Sequence, residues 1–84
     1  MKSIPLAGLG TFAIAARHLS FTKAAQEMHL TQGAVSQQIR QLEERLGVTL
    51  FVRYHRRLEL TVAGVRLAVQ LNHSFTEISD LILE

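Results

Sequence analysis

Apolar residues recur at three- and four-residue spacing in four stretches of the chain, and each stretch predicts a helix. Leu6, Leu9, Phe12, Ala13 and Ala16 make the first, over about 5–17, opening on Pro5, whose missing N–H costs nothing in a first turn. Gly8 and Gly10 each cost about 1 kcal/mol relative to Ala inside a helix, so burial of the Leu9–Phe12–Ala16 stripe has to override them. Ser20 is a good N-cap for a second helix, Phe21 to Met28, with Phe21, Ala24, Ala25 and Met28 on one face. His29 falls where the chain must turn, and histidine tolerates a left-handed conformation. Leu30 is expected to plug that turn into the core. Thr31 caps a third helix, Gln32 to about Leu46, with a narrow apolar stripe of Val35, Ile39, Leu42 and Leu46. Glu43 and Arg45 read as its solvated tail, and Gly47 ends it.

Residues 48–60, VTLFVRYHRRLEL, change character. Val48 to Val52 is β-branched and aromatic and LEL alternates, which predicts two short strands joined by a basic turn. Thr61 then caps a last helix. Its positions Gly64, Ala68, Leu71, Phe75, Ile78 and Ile82 alternate steps of four and three, a heptad-like seam. Leu67, Leu81 and Leu83 widen its apolar surface beyond the needs of one small core, which favours pairing with a second copy over packing on the first helix.

The second and third helices form a helix-turn-helix over residues 21–40. Small Ala25 lets them cross, and Met28, Leu30, Val35 and Ile39 fill the angle. In that geometry the second helix enters the DNA major groove by its N-terminal end. Counting round it away from Val35 and Ile39 gives Gln32, Gly33, Ser36, Gln37 and Arg40. Amides pair bidentately with adenine, arginine with guanine, and serine with either. Residues 31–42 contain no Asp or Glu, as a face meeting phosphates requires. The bland alternative is a solvated helix face, although Glu and Lys would serve that better. Thr22 and Lys23 open the second helix, where N–H groups attract phosphate, while Thr31 is a cap first and a phosphate contact second. The hairpin tip carries Arg53, His55, Arg56 and Arg57, suited to DNA backbone or a narrow minor groove. Its alternative role is a charged turn that keeps an edge hairpin soluble, and Arg53 has the further option of pairing within the fold. Tyr54 reads as half-packed.

Charge placement fits this reading. Net charge is +2, but residues 1–60 carry eight Lys/Arg against four Glu, and residues 61–84 one Arg against three acids. With 84 residues and no cysteine, one domain is expected, divided as 1–60 and a linker helix over 61–84. His18, His29, His55 and His73 show no metal-ligand spacing, and no nucleophile elbow or glycine-rich phosphate loop is present. No catalytic residue, metal or cofactor is therefore expected. The weakly polar run LAGLGTFAIAA is too short to span a bilayer, so no membrane is expected as a partner.

The run SFTKAAQEMHLTQGAVSQQIRQLEERLGVTLF, with FAIAARHL before it and RLELTVAG after it, resembles the N-terminal domain of LysR-type transcriptional regulators. The resemblance spans residues 12–64. It implies a mainly α fold: a winged helix-turn-helix, with a three-helix core and a two-stranded β-hairpin wing over 48–60, then a long C-terminal dimerisation helix. It implies a bacterial, cytoplasmic, nucleoid-associated homodimer on an interrupted palindromic operator in double-stranded DNA. The homodimer would form through the last helix (Ala68, Leu71, Phe75, Ile78 and Ile82). A small-molecule effector would bind a further C-terminal domain, which makes this chain the DNA-binding fragment of a longer regulator. By position, Gln32 and Ser36 match base-reading residues, Thr31 the Ser/Thr before the glutamine, and Thr61 the opening of the linker helix. Arg53, Arg56 and Arg57 match backbone contacts. Gly33 stands where proline is frequent, Gln37 where arginine is frequent, and Gly10 replaces a commoner polar residue. The wording AARHLSFTKAA is similar to regulators of glycine cleavage and of chromosomal β-lactamase genes.

Overall fold

A computed structural model describes residues 3–83. The elements run α1 (Leu6–His18), α2 (Phe21–Met28), α3 (Gln32–Leu46), β1 (Phe51–Arg53), β2 (Leu58–Leu60) and α4 (Val62–Leu83). This is the expected winged helix-turn-helix. The caps explain most boundaries. Ser20 accepts from the Lys23 N–H, Thr31 from the Ala34 N–H and Thr61 from the Gly64 N–H, each satisfying an orphan donor of a first turn. Gly47 closes α3 at φ 74°, and His29 closes α2 at φ 57°. Leu19 also takes a left-handed conformation, φ 49°, to close α1. Pro5 lies one place before the helix, as its N-cap residue, so α1 runs one residue later at each end than the periodicity predicts.

The core is Phe12, Ala15, Phe21, Ala24, Ala25, Val35, Ile39, Leu42, Leu50 and Phe51. Phe51 sits between the rings of Phe12 and Phe21, at centroid distances of 5.4 and 5.3 Å, so the start of the hairpin is locked into the helical core. Several expectations change here. The buried stripe of α1 is Thr11, Phe12 and Ala15, whereas Leu6 is 73% exposed and Ala16 only half-buried. Thr11 is tolerated inside because its hydroxyl reaches Gln38 Oε1 at 2.5 Å, tying α1 to α3. Leu30 and Leu46 lie on the surface at 39% and 41% exposure, not in the core.

Glu43 is no solvated tail. Its Oε2 accepts from the Leu50 N–H at 2.7 Å and the Phe51 N–H at 3.2 Å, and its side chain is 15% exposed. That carboxylate fixes the α3–β1 connection, and β1 begins three residues later than Val48, which is exposed. The strands pair antiparallel with Phe51 opposite Leu60 and Arg53 opposite Leu58.

The apolar seam of α4 divides in two. Gly64 is buried against the hairpin, and Leu67, Ala68 and Leu71 pack on this chain's own core. Phe75, Ile78 and Ile82, from 44% to 72% exposed, lie beyond it.

Candidate nucleic-acid interface

Three segments meet around one open groove of about 460 Å³: the N-terminus of α2, the exposed side of α3 and the hairpin tip. Thr22, Gln32, Ser36, Arg40, His55 and Arg56 all border it. Gln32, Gly33, Gln37 and Arg40 are exposed and Ser36 is half-buried, so the reading face predicted on α3 is open. Nothing lies within 4 Å of a Cβ built on Gly33. Lys23 and Thr31 are exposed on the flank of this face. Gln37 lies apart from the groove, beside Arg40, Gln41 and Glu44.

The wing residues differ in how free they are. His55 and Arg56 are exposed at the tip. Arg57 is partly engaged within the hairpin: its Nε lies 3.0 Å from Glu59 Oε2 and its guanidinium 4.4 Å over the Tyr54 ring. Arg53 turns inward. It donates to Ser36 Oγ at 3.0 Å, faces Glu43 Oε1 at 3.5 Å and stacks 5.0 Å over Phe21. Burial pushes its guanidinium below the ordinary arginine value, Arg40 adds to this, and Glu43 opposes it. An arginine still remains cationic. Within the fold, Arg53 therefore joins the wing to α3, and Thr22 does the same for α2 by donating to Gln32 Oε1 at 3.2 Å. The sequence carries no signal for either pair, because each partner is ten or more positions away.

Among the described residues, no group of three or more His, Asp or Glu is placed to hold a metal, and no helix is long and apolar enough to cross a membrane.

The model of the bacterial regulatory helix-turn-helix protein, lysR family, matches residues 6–65. This chain belongs to the LysR family. It is a helix-turn-helix DNA-binding domain of that family, whose members are transcriptional regulators and not enzymes. Among curated relatives, the HTH-type transcriptional activator AmpR of Providencia stuartii is 51% identical over 79 residues, 94% of this chain and 27% of that protein. The HTH-type transcriptional regulator DsdC of Escherichia coli K12 is 48% identical over 79 residues, 94% of this chain and 25% of that protein. The LysR-family chain thus spans about a quarter of the length of such relatives. Among solved structures, the BenM DBD/catB site 1 DNA complex superposes with TM-score 0.84 at 29% identity, covering 94% of this chain and 89% of that one. A LysR-family regulator from Eggerthella lenta gives 0.73 at 38% identity, covering 83% and 99%.

Proposed function

We propose that this LysR-family domain binds duplex DNA sequence-specifically as a homodimer, within a longer bacterial regulator that acts in the cytoplasm at the nucleoid. The observation that carries the reading is the open groove in which the acid-free face of α3, the start of α2 and the cationic wing tip come together. Gln32, Gly33, Ser36, Gln37 and Arg40 meet base edges in the major groove. Lys23, Thr31, His55, Arg56 and Arg57 meet backbone or minor groove, Thr22 meets phosphate through its first-turn backbone N–H because its hydroxyl is given to Gln32, and Arg53 acts from behind the reading helix. Similarity to a domain solved on DNA supports this division.

The second copy docks on α4. Among the described residues, eight of the sixteen exposed large hydrophobics lie on this one helix, more than a monomer leaves in water without purpose. Phe75, Ile78 and Ile82 carry the pairing, with Ala68 and Leu71 at its inner edge. The groove of about 390 Å³ between α1 and α4 is the partner helix's seat. Two copies address two half-sites of an interrupted palindrome, one or more helical turns apart. An effector, where one acts, binds a separate domain.

Selection of bound duplexes from a random pool tests the reading. Half-sites with fixed spacing are expected. Gln32→Ala relaxes one base position, costing about 1–3 kcal/mol there, whereas Arg56→Ala weakens all sequences alike. If about six phosphates are neutralised per dimer, log K against log salt has a slope near −5. Equal losses for both variants on selected and random DNA would refute the division of labour.

A further inference from the structure

The two hydrogen bonds behind the reading face have a chemical direction. Thr22 Oγ1 donates to Gln32 Oε1 at 3.2 Å, and Arg53 Nη1 donates to Ser36 Oγ at 3.0 Å. In each pair a base-facing side chain spends acceptor capacity on a donor from its own fold. The oxygen and nitrogen of a carboxamide lie on opposite sides of a trigonal carbon. Holding Oε1 against α2 therefore turns Nε2, with its two N–H groups, away from Thr22. A serine oxygen that accepts from a guanidinium keeps its own O–H to give. Arg40, the third α3 residue on this groove, has donors only, and the free carboxamide of Gln37, which can also accept, lies apart from the groove beside Gln41 and Glu44.

We infer that Thr22 and Arg53 are specificity-setting positioning residues: they make the groove side of the α3 reading face, Gln32 and Ser36, a donor surface that selects keto base edges, guanine and thymine. The inference rests on the DNA-binding reading above and deepens it. In the major groove guanine offers N7 and O6 and thymine offers O4, all acceptors, whereas adenine and cytosine each project an amino donor. A free glutamine pairs bidentately with adenine, giving to N7 and accepting from N6. With Oε1 turned toward α2 and one of its two lone pairs given to Thr22, Gln32 offers Nε2 more readily than Oε1, which weakens the accepting half of that pair. The preference of this position thus moves away from the adenine that the residue type alone suggests.

Both holding groups are themselves held. Arg53 is clamped by Glu43 and by the Phe21 ring, with its side chain 28% exposed, so it lacks the freedom of a wing-tip arginine. Thr22 is stiff at χ1 as a β-branched residue. It stands in a first turn anchored by the Ser20 cap and by buried Phe21.

The test is random-duplex selection with the 84-residue chain and its Gln32→Ala, Thr22→Val and Thr22→Ser variants. Gln32→Ala marks the position that Gln32 reads, as the one whose preference flattens. The unaltered chain is expected to take guanine or thymine there over adenine by about tenfold, the worth of one hydrogen bond to a matched edge. Thr22→Val frees Oε1 and raises adenine at least to parity, whereas Thr22→Ser restores the keto preference. Lost packing or a lost phosphate contact lowers affinity without changing which base is chosen, so base identity separates positioning from structure. A second arm reads Arg53→Met at the position that Ser36→Ala marks, where adenine or cytosine should rise. Adenine or cytosine already preferred at the Gln32 position by the unaltered chain would overturn the inference. So would a Thr22→Val selection identical to the unaltered one. Either result leaves DNA binding standing. If the unaltered chain enriches no sequence, the DNA-binding reading falls, and this inference falls with it.

Discussion

Gly64→Ala is a change that helix propensity and packing judge oppositely. Gly64 lies in the first turn of α4, where Ala is worth about 1 kcal/mol more than Gly in a helix. A Cβ at this position would stand 2.2 Å from the Leu50 carbonyl oxygen, 3.2 Å from its carbon and 3.0 Å from Leu60 Cδ2. The first two are backbone atoms and cannot swing aside. The Leu50 carbonyl also accepts from the Thr61 N–H at 3.0 Å, so moving it away strains the bond that seats α4 on the hairpin. Overpacking costs about 1–3 kcal/mol and the weakened hydrogen bond about 0.5–1.5 kcal/mol. After the propensity gain, the net is a destabilisation of about 2 kcal/mol, or roughly 8–16 °C in Tm for a domain of this size. Thermal unfolding by circular dichroism checks it, at one protein concentration because dimerisation would shift Tm. Gly10→Ala is the control. It sits in α1 with nothing within 4 Å of its added Cβ, and should stabilise by about 0.5–1 kcal/mol. A Gly64→Ala protein as stable as the parent would refute the close approach of α4 to Leu50.

Glu43→Ala strands the Leu50 and Phe51 N–H groups and removes the carboxylate facing Arg53; a loss of about 2–4 kcal/mol in denaturant unfolding is expected, with no loss if the loop is held otherwise. The Glu27 carboxyl is held below its ordinary value by hydrogen bonds from His18 and then Arg17. A lowered folded pKa means stability that is present above the ordinary value of 4.5 and lost as pH falls through the folded one. Glu27→Gln should flatten the dependence of Tm on pH below about 5. Ile78→Asp places a charge on the outer half of α4 without touching the core, so light scattering should show a lower mass with an unchanged circular dichroism spectrum.

Local chemistry made the elements legible and distant contacts concealed the rest. Ser20, Thr31, Gly47 and Thr61 act within three or four residues of where they stand, so α2 and α3 could be bounded from sequence. Leu6 and Leu46 fit an apolar period yet lie exposed, because period reports which face a residue shares and not whether anything covers it, and Leu30, expected to plug the turn after α2, is exposed as well. Thr11, a polar residue inside α1, owes its burial to Gln38, twenty-seven positions on. Glu43 looked solvated because a carboxylate in the last turns of a helix commonly is. The open polar face of α3 was legible through the missing acids and the short polar residues, whereas the partners of Gln32 and Ser36 lie on α2 and β1.

These hidden contacts share one physical consequence. Glu43 ties the loop to α3, Arg53 ties β1 to α3 through Glu43 and Ser36, and Phe51 ties the same strand into the aromatic core. A half-buried cation costs free energy unless it is paired, and here a carboxylate and the Phe21 ring both face it. The hairpin, which alone would be marginal at three residues per strand, is therefore carried by the helix it flanks. Wing and α3 are thereby held in one fixed relation. The entropy of ordering them is met in folding, so under the proposed DNA-binding function it would not have to be met again in binding.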